Sequence, residues 1–309
     1  MRQHFIGAVT ALFCFGGLAA CTTTPEAPRD DITHLYFIGD SNLDIGRVFT
    51  ERASDGDDGE IPPPNTVGLR SSNSTILPEF LVERLGIEQT NYAWGGATSG
   101  MTNIVALRGM PDARNTGALA QMDEFEAALA GGEANEDALY LVFAGSNDLA
   151  LVDKTDQAAV TAAIDQAMIN LTEIATRLDA AGAEFIVLAT RTPRPVLSDA
   201  DRPEDEADEE AKNDASGRQM NADIRALVAE LDDALDADVE LFDAYVEIRN
   251  IAENAVANGL EAYSPAPENY CTARPDDCDV LVNYDAAHKT NAVHSILADR
   301  FIDEFDLAE

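Results

Sequence analysis

A chain of 309 residues, 46% of them hydrophobic, has room for one large α/β unit and too much core-forming material for a disordered segment. Its 20 glycines and 13 prolines fall short of a low-complexity composition. Against 57 acidic residues stand 20 basic ones; the net charge of −37 repels polyphosphate and excludes nucleic acid as a partner.

Lys154, Lys212 and Lys289 are the only lysines, and so acidic a surface keeps a protein soluble in salty surroundings. At the N-terminus, Arg2 precedes a mostly apolar stretch from Phe5 to Ala20. These 16 residues are short of the roughly 20 that a membrane span needs, so the stretch reads as a removed export signal. It ends in Leu18-Ala19-Ala20-Cys21, which resembles the cleavage box of bacterial lipoproteins. The resemblance implies that residues 1–20 are removed, that Cys21 carries lipid, and that a membrane anchor holds the protein in the cell envelope. By the same analogy, Thr22 in place of Asp after the cysteine implies the outer membrane. An ordinary secretory signal cut nearby is the alternative. Residues 21–32, with Pro25, Pro28 and several charges, read as a tether, which leaves 33–309 as one domain.

The domain opens on Leu35-Tyr36-Phe37-Ile38, a short apolar run that stops at Gly39, as a buried strand does. Ser54 to Pro64 (SDGDDGEIPPP) reads as a surface loop. Its spaced aspartates suggest calcium, but the glutamate that completes an EF-hand loop is missing. Further strands are predicted at Ala138–Phe143, Glu184–Ala189 and Val239–Phe242. Between them, Val160, Ile164, Met168, Leu171, Ile174 and Leu178 form one helical stripe, and Ile224, Leu227, Val228, Leu231 and Leu235 form another. Alternating strands and helices predict an α/β fold with a mostly parallel sheet covered on both faces, whose sites form beyond the carboxyl ends of the strands. Asp199 to Glu210, with eight acids in twelve positions, is expected to be a solvated, mobile loop, with metal or a cationic partner as the lesser reading. With Cys14 removed and Cys21 lipidated, Cys271 and Cys278 remain as a pair. In an oxidising compartment they favour a disulfide over a metal clip, because no third or fourth ligand is nearby.

Four separated segments carry the chemistry. In Phe37-Ile38-Gly39-Asp40-Ser41, a serine follows a buried strand at an expected helix entrance, where helix N–H groups face a developing oxyanion; capping a helix is its simpler use. In Asn91-Tyr92-Ala93-Trp94-Gly95-Gly96-Ala97, adjacent glycines allow a close backbone approach to a ligand, or a plain tight turn. In Gly145-Ser146-Asn147-Asp148, an amide at a strand's end can donate to an oxyanion, although Asn and Asp are also common in turns. In Asp285-Ala286-Ala287-His288, three-residue spacing lets a carboxylate hold one ring N–H and leave the other nitrogen as a base. His34 precedes the first strand and His294 sits on an apolar helix as a structural histidine, so His288 is the expected base.

Taken together and in this order, the segments resemble the four motif blocks of the GDSL, or SGNH, family of serine esterases and lipases, from about Leu35 to the C-terminal helix. The resemblance implies a three-layer α/β/α sandwich and a carboxylic ester hydrolase acting on small acyl esters or lipids, with no metal or organic cofactor. It makes Ser41 the nucleophile, His288 the general base and Asp285 its orienting acid. It builds an oxyanion hole from the Ser41 and Gly96 backbone N–H groups and the Asn147 side chain. Gly96 rather than Gly95 occupies the sixth place of its block. Asp40 and Asp148 are expected to shape turns, and the family's cysteine loop matches Cys271 to Cys278.

Two positions depart from the family pattern: Asn42 stands where Leu usually follows the serine, and Lys289 replaces a proline after the histidine. The lysine is expected to put a cation near the site's mouth. The α/β-hydrolase alternative requires a second glycine after the serine, which Gly39-Asp40-Ser41-Asn42-Leu43 lacks. Acyl transfer by the same triad and a non-catalytic binding lipoprotein are the rival functions.

Overall fold

The computed structural model describes residues 32–54, 70–108, 114–195 and 204–307. Five strands, β1 (His34–Gly39), β2 (Glu88–Asn91), β3 (Ala138–Phe143), β4 (Phe185–Ala189) and β5 (Asp238–Phe242), pair in the order β2-β1-β3-β4-β5. Every pairing is parallel. The two strands with apolar neighbours on both sides, Ala-Leu-Tyr-Leu-Val-Phe of β3 and Phe-Ile-Val-Leu-Ala of β4, are buried at every residue. A strand covered on both faces has no polar side to show, hence their unbroken apolar runs. Glu88-Gln89-Thr90-Asn91 of β2 is a short polar edge strand, which protects that edge from pairing with another chain.

Side chains alternate across the sheet and feed two cores. On one face, Ile38, Tyr140, Val142, Ile186 and Leu188 pack against α3 (Ala118–Leu129), α4 (Gln157–Ala181) and α5 (Glu204–Ala234). On the other, Leu35, Phe37, Leu139, Leu141 and Val187 meet α2 (Leu77–Leu85), α6 (Ala244–Glu253) and α7 (Asn291–Glu304). The seventh helix, α1 (Arg47–Ser54), follows the turn after β1. The expected sandwich is present, with an all-parallel sheet, and the predicted strand boundaries hold to within a residue. Both helical stripes face the core; only Met168 and Leu235 are partly exposed among them.

The acidic run departs from expectation. Residues from Glu204 onward are helical and open α5, so the run is not wholly a loop; its first five residues lie outside the described ones. Acids are good neighbours for a helix N-terminus, whose partial charge is positive. Most of the surface loop expected from Ser54 to Pro64, the signal segment, Cys21 and nearly all of the tether also lie outside the described residues. Among the described residues, no helix is long and apolar enough to cross a membrane.

In this strand order the chain leaves β1 toward one edge and β3 toward the other, so a crevice opens between their carboxyl ends. At that point the two strands come unusually close. A Cβ on Gly39 would lie 2.3 Å from the Phe143 carbonyl oxygen. Gln121 of α3 clamps the same residue, accepting from the Gly39 N–H at 2.7 Å and donating to its carbonyl at 2.9 Å. Gly39→Ala should therefore force the strand ends apart and destabilise the fold by about 1–3 kcal/mol or more, read as a lower urea midpoint with an unchanged slope.

Candidate active site

Ser41 lies two residues beyond β1, in one tight turn closed by the Leu43 and Asp44 N–H groups on the Asp40 carbonyl, at 3.0 Å each. It is not at a helix entrance as expected. The following helix, α1, begins only at Arg47, and Asp44 caps it by accepting from the Gly46, Arg47 and Val48 N–H groups. Asp44 also accepts from the Gly95 N–H at 2.7 Å, tying the serine turn to the double glycine. Asp40 shapes the turn from inside: its Oδ1 accepts from the Asn42 N–H and the Asn42 side-chain amide. Its Oδ2 is buried without a partner, and burial raises the carboxyl above its ordinary range.

The Ser41 Oγ sits 2.9 Å from His288 Nε2, across 247 residues of sequence. On the far side of the ring, Nδ1 lies 2.9 and 3.0 Å from the two Asp285 oxygens. Asp285 also accepts from the Ala287 and His288 N–H groups, so the three-residue spacing closes a turn on its own carboxylate. Burial would raise the Asp285 carboxyl, but the imidazole and these donors outweigh it and hold the group well below the usual carboxylate range. The loop is braced from outside by the Cys271–Cys278 disulfide, with Cα atoms 4.7 Å apart. Cys271 and Thr272 donate their N–H groups to the Asn283 and Tyr284 carbonyls, just ahead of Asp285.

The second and third segments close the remaining wall. Gly96 has φ of +80°, and a Cβ there would meet Asn103 Oδ1 at 2.6 Å, so only glycine fits. Its N–H has no acceptor among the described residues, whereas that of Gly95 is held by Asp44. Asn147 donates one amide hydrogen to the Ala97 carbonyl at 2.9 Å, leaving a second. Asp148 binds the Ser99 N–H and hydroxyl, bracing the turn as expected. Ser41, Gly96, Asn147, Asp285 and His288 all line one cavity of about 470 Å³, so the five residues expected to form the triad and the oxyanion hole converge. Among the described residues, no group of three or more His, Cys, Asp or Glu is placed to hold a metal.

Three residues of the cavity wall, Arg191, Thr192 and Arg194, were missed by sequence reasoning. They follow the end of β4, and the rule that sites form beyond strand carboxyl ends could have found them. His34 opens β1 and bonds Thr90, and His294 is buried, its imidazole pushed down to about 3 by burial, then by the charges of His288 and Lys289.

Residues 35–301 match the family described as GDSL-like Lipase/Acylhydrolase. The chain belongs to that family and is a serine ester hydrolase of the esterase/lipase kind. Similar solved structures include an acetylxylan esterase from Geobacillus stearothermophilus, 15% identical, with 90% of this chain and 99% of that chain covered and a TM-score of 0.47. Another is a member of the lipolytic G-D-S-L family from Veillonella parvula, 13% identical, with 88% and 97% covered and a TM-score of 0.46. No curated protein matches the chain significantly.

Lys289 corrects an expectation. It is 2% exposed, not at the mouth, and its Nζ donates to the Pro193 carbonyl at 3.2 Å. Burial, and then the nearby Arg194 charge, push its ammonium down to about 7. A folded value below the unfolded 10.5 means that stability is complete above 10.5 and is lost as pH falls toward 7. Lys289→Met should therefore raise the urea midpoint at pH 7, with an advantage that shrinks by at most about 1.4 kcal/mol per pH unit toward pH 10.5. A variant less stable at pH 7 would show that the Pro193 hydrogen bond outweighs the burial cost.

Proposed function

We propose that the protein hydrolyses carboxylic esters through a Ser41–His288–Asp285 triad and an acyl-enzyme intermediate. The observation that carries this reading is the unbroken hydrogen-bond chain from the Asp285 carboxylate through the imidazole to the Ser41 hydroxyl. With Nδ1–H held by Asp285, Nε2 is the free base and takes the hydroxyl proton as Oγ attacks the carbonyl carbon. The Ser41 and Gly96 N–H groups and the second Asn147 amide hydrogen receive the oxyanion. His288 then protonates the leaving alcohol, and water repeats the sequence to release the acid. The cavity suits a small acyl ester or one end of a lipid. The acetyl ester named for the Geobacillus protein is one such substrate.

Residues 33–309 form the hydrolase domain in this reading, carried on the 21–32 tether and anchored through lipid on Cys21 in the outer membrane. The support is the apolar run ending in Leu18-Ala19-Ala20-Cys21.

With p-nitrophenyl acetate as substrate, Ser41→Ala should lose nearly all turnover. Asn147→Ala should lose about 100–1,000-fold in kcat, the typical cost of one oxyanion donor, with near-normal thermal unfolding. A Ser41→Ala protein as active as the parent overturns the mechanism.

A further inference from the structure

We propose that the site is built for esters bearing a negative group, a carboxylate or a phosphate, which Arg191 receives inside the catalytic cavity; this deepens the esterase reading of Ser41 and rests on it. Arg191 is 3% exposed, yet it lines the same cavity as Ser41 and His288. Buried guanidinium groups are nearly always paired with an acid. Among the described residues, no carboxylate lies within ion-pair distance of this one. Its single side-chain hydrogen bond goes from Nη1 to the Asn213 carbonyl at 3.2 Å. Asp214, the buried acid beside Asn213, and Asp40 attract the guanidinium only from a distance, and the ion pair of Asp214 is with Arg218. Five donors on a planar fork with one neutral acceptor leave an edge suited to two oxygens of an anion.

The surroundings are built to hold that fork. Asn221 of α5 grips the Arg191 backbone on both sides, accepting from its N–H at 2.8 Å and donating to its carbonyl at 3.0 Å. One turn earlier, a Cβ on Gly217 would meet Nη1 at 2.2 Å, so the helix carries a glycine where the guanidinium passes. A glycine inside a helix is less favourable than alanine, which the fold tolerates at this place. Arg194 lines the same cavity and donates to the Ala286 carbonyl at 3.1 Å, between Asp285 and His288. Two guanidinium groups thus gather on one side of the site of a chain with net charge −37, with the Lys289 amine buried behind them. The rival occupant of the fork is Asp40, whose Oδ2 is buried without a partner.

The test compares kcat/KM for 4-acetoxybenzoate, 4-acetoxyphenyl phosphate and the neutral 4-acetoxybenzamide, which share an acetyl group and a similar leaving phenol. On the acyl side, monomethyl succinate is set against methyl butyrate. Wild-type protein is expected to favour an anionic member of at least one set by about tenfold or more, and Arg191→Gln to abolish that preference mainly through KM. The benzoate and phosphate arms distinguish the two anion sources. Because the variant could fold poorly, benzoate and benzamide are also compared as inhibitors of wild-type protein, benzoate being expected to bind at least tenfold tighter. Ratios near one in every set, with benzoate no better than benzamide, overturn the proposal. So does an Arg191→Gln protein that slows charged and neutral esters equally, which would mean that Arg191 serves Asp40. Failure to hydrolyse any ester, with no fluorophosphonate label on Ser41, overturns the esterase reading and this one with it.

Discussion

A hydroxyl held 2.9 Å from an imidazole 247 residues further along the chain requires a frame that neither segment supplies alone. That frame is the meeting of β1 and β3 at their carboxyl ends, where Gly39 and Phe143 approach more closely than any side chain on Gly39 would permit. Gln121 fixes the end of β1 from the α3 side, and Asp44 links the serine turn to the double glycine. Each contact uses a backbone group already present at a strand or helix end. The sheet order thus dictates where the chemistry can sit, and short polar side chains fix it there.

The C-terminal half of the site is held differently. The stiffness of the Asp285–His288 loop comes from its own turn, from the disulfide, from Arg194 on the Ala286 carbonyl, and from Lys289 and Thr290 reaching back into the protein. Thr290 donates its hydroxyl to the Leu281 carbonyl, and its N–H goes to Val282. Proline at position 289 would preset the entry into α7 by restricting φ. A buried lysine achieves a similar anchorage through Pro193, at an electrostatic cost that proline does not carry. The same lysine lies close enough to Arg194 for the two charges to repel, so the departure from the family pattern carries an electrostatic consequence as well as a change in the loop.

Most of the fold was legible because its signals are local. The apolar runs of β3 and β4 report burial on both faces, and the stripes of α4 and α5 report the period of a helix facing a sheet. Ser41, Gly96, Asn147, Asp285 and His288 were legible from motif order and from the short spacing of the acid and the base. What escaped depends on contacts that no spacing encodes. Asp44 is indistinguishable from any capping acid until Gly95 lies against it. Arg191 matters only because β4 ends beside β3 and α5 has a glycine there. The placement of Lys289 was misread because a charged residue beside a catalytic histidine was assigned to solvent, whereas Pro193 gives its ammonium a partner inside. The opening of α5 was misread because dense acid suppresses the hydrophobic period, while a helix N-terminus tolerates acid well.

The choice between the two glycines shows how far geometry adds to motif position. Both sit in the wall of the same cavity and either could offer an N–H. Gly95 has committed its hydrogen to a buried carboxylate at 2.7 Å, and moving it would unpick the cap of α1 as well. Gly96 adopts a positive φ, open to glycine without strain, against Asn103, which donates its amide to the Gly95 carbonyl and accepts the Val105 N–H. Asn103 thus uses its polar groups on its neighbours, and the Gly96 N–H is without an acceptor among the described residues. Folded proteins satisfy nearly all their buried donors. A cavity wall is where a free donor is tolerated, and in the proposed mechanism the oxyanion is what the Gly96 N–H and the second Asn147 amide hydrogen donate to.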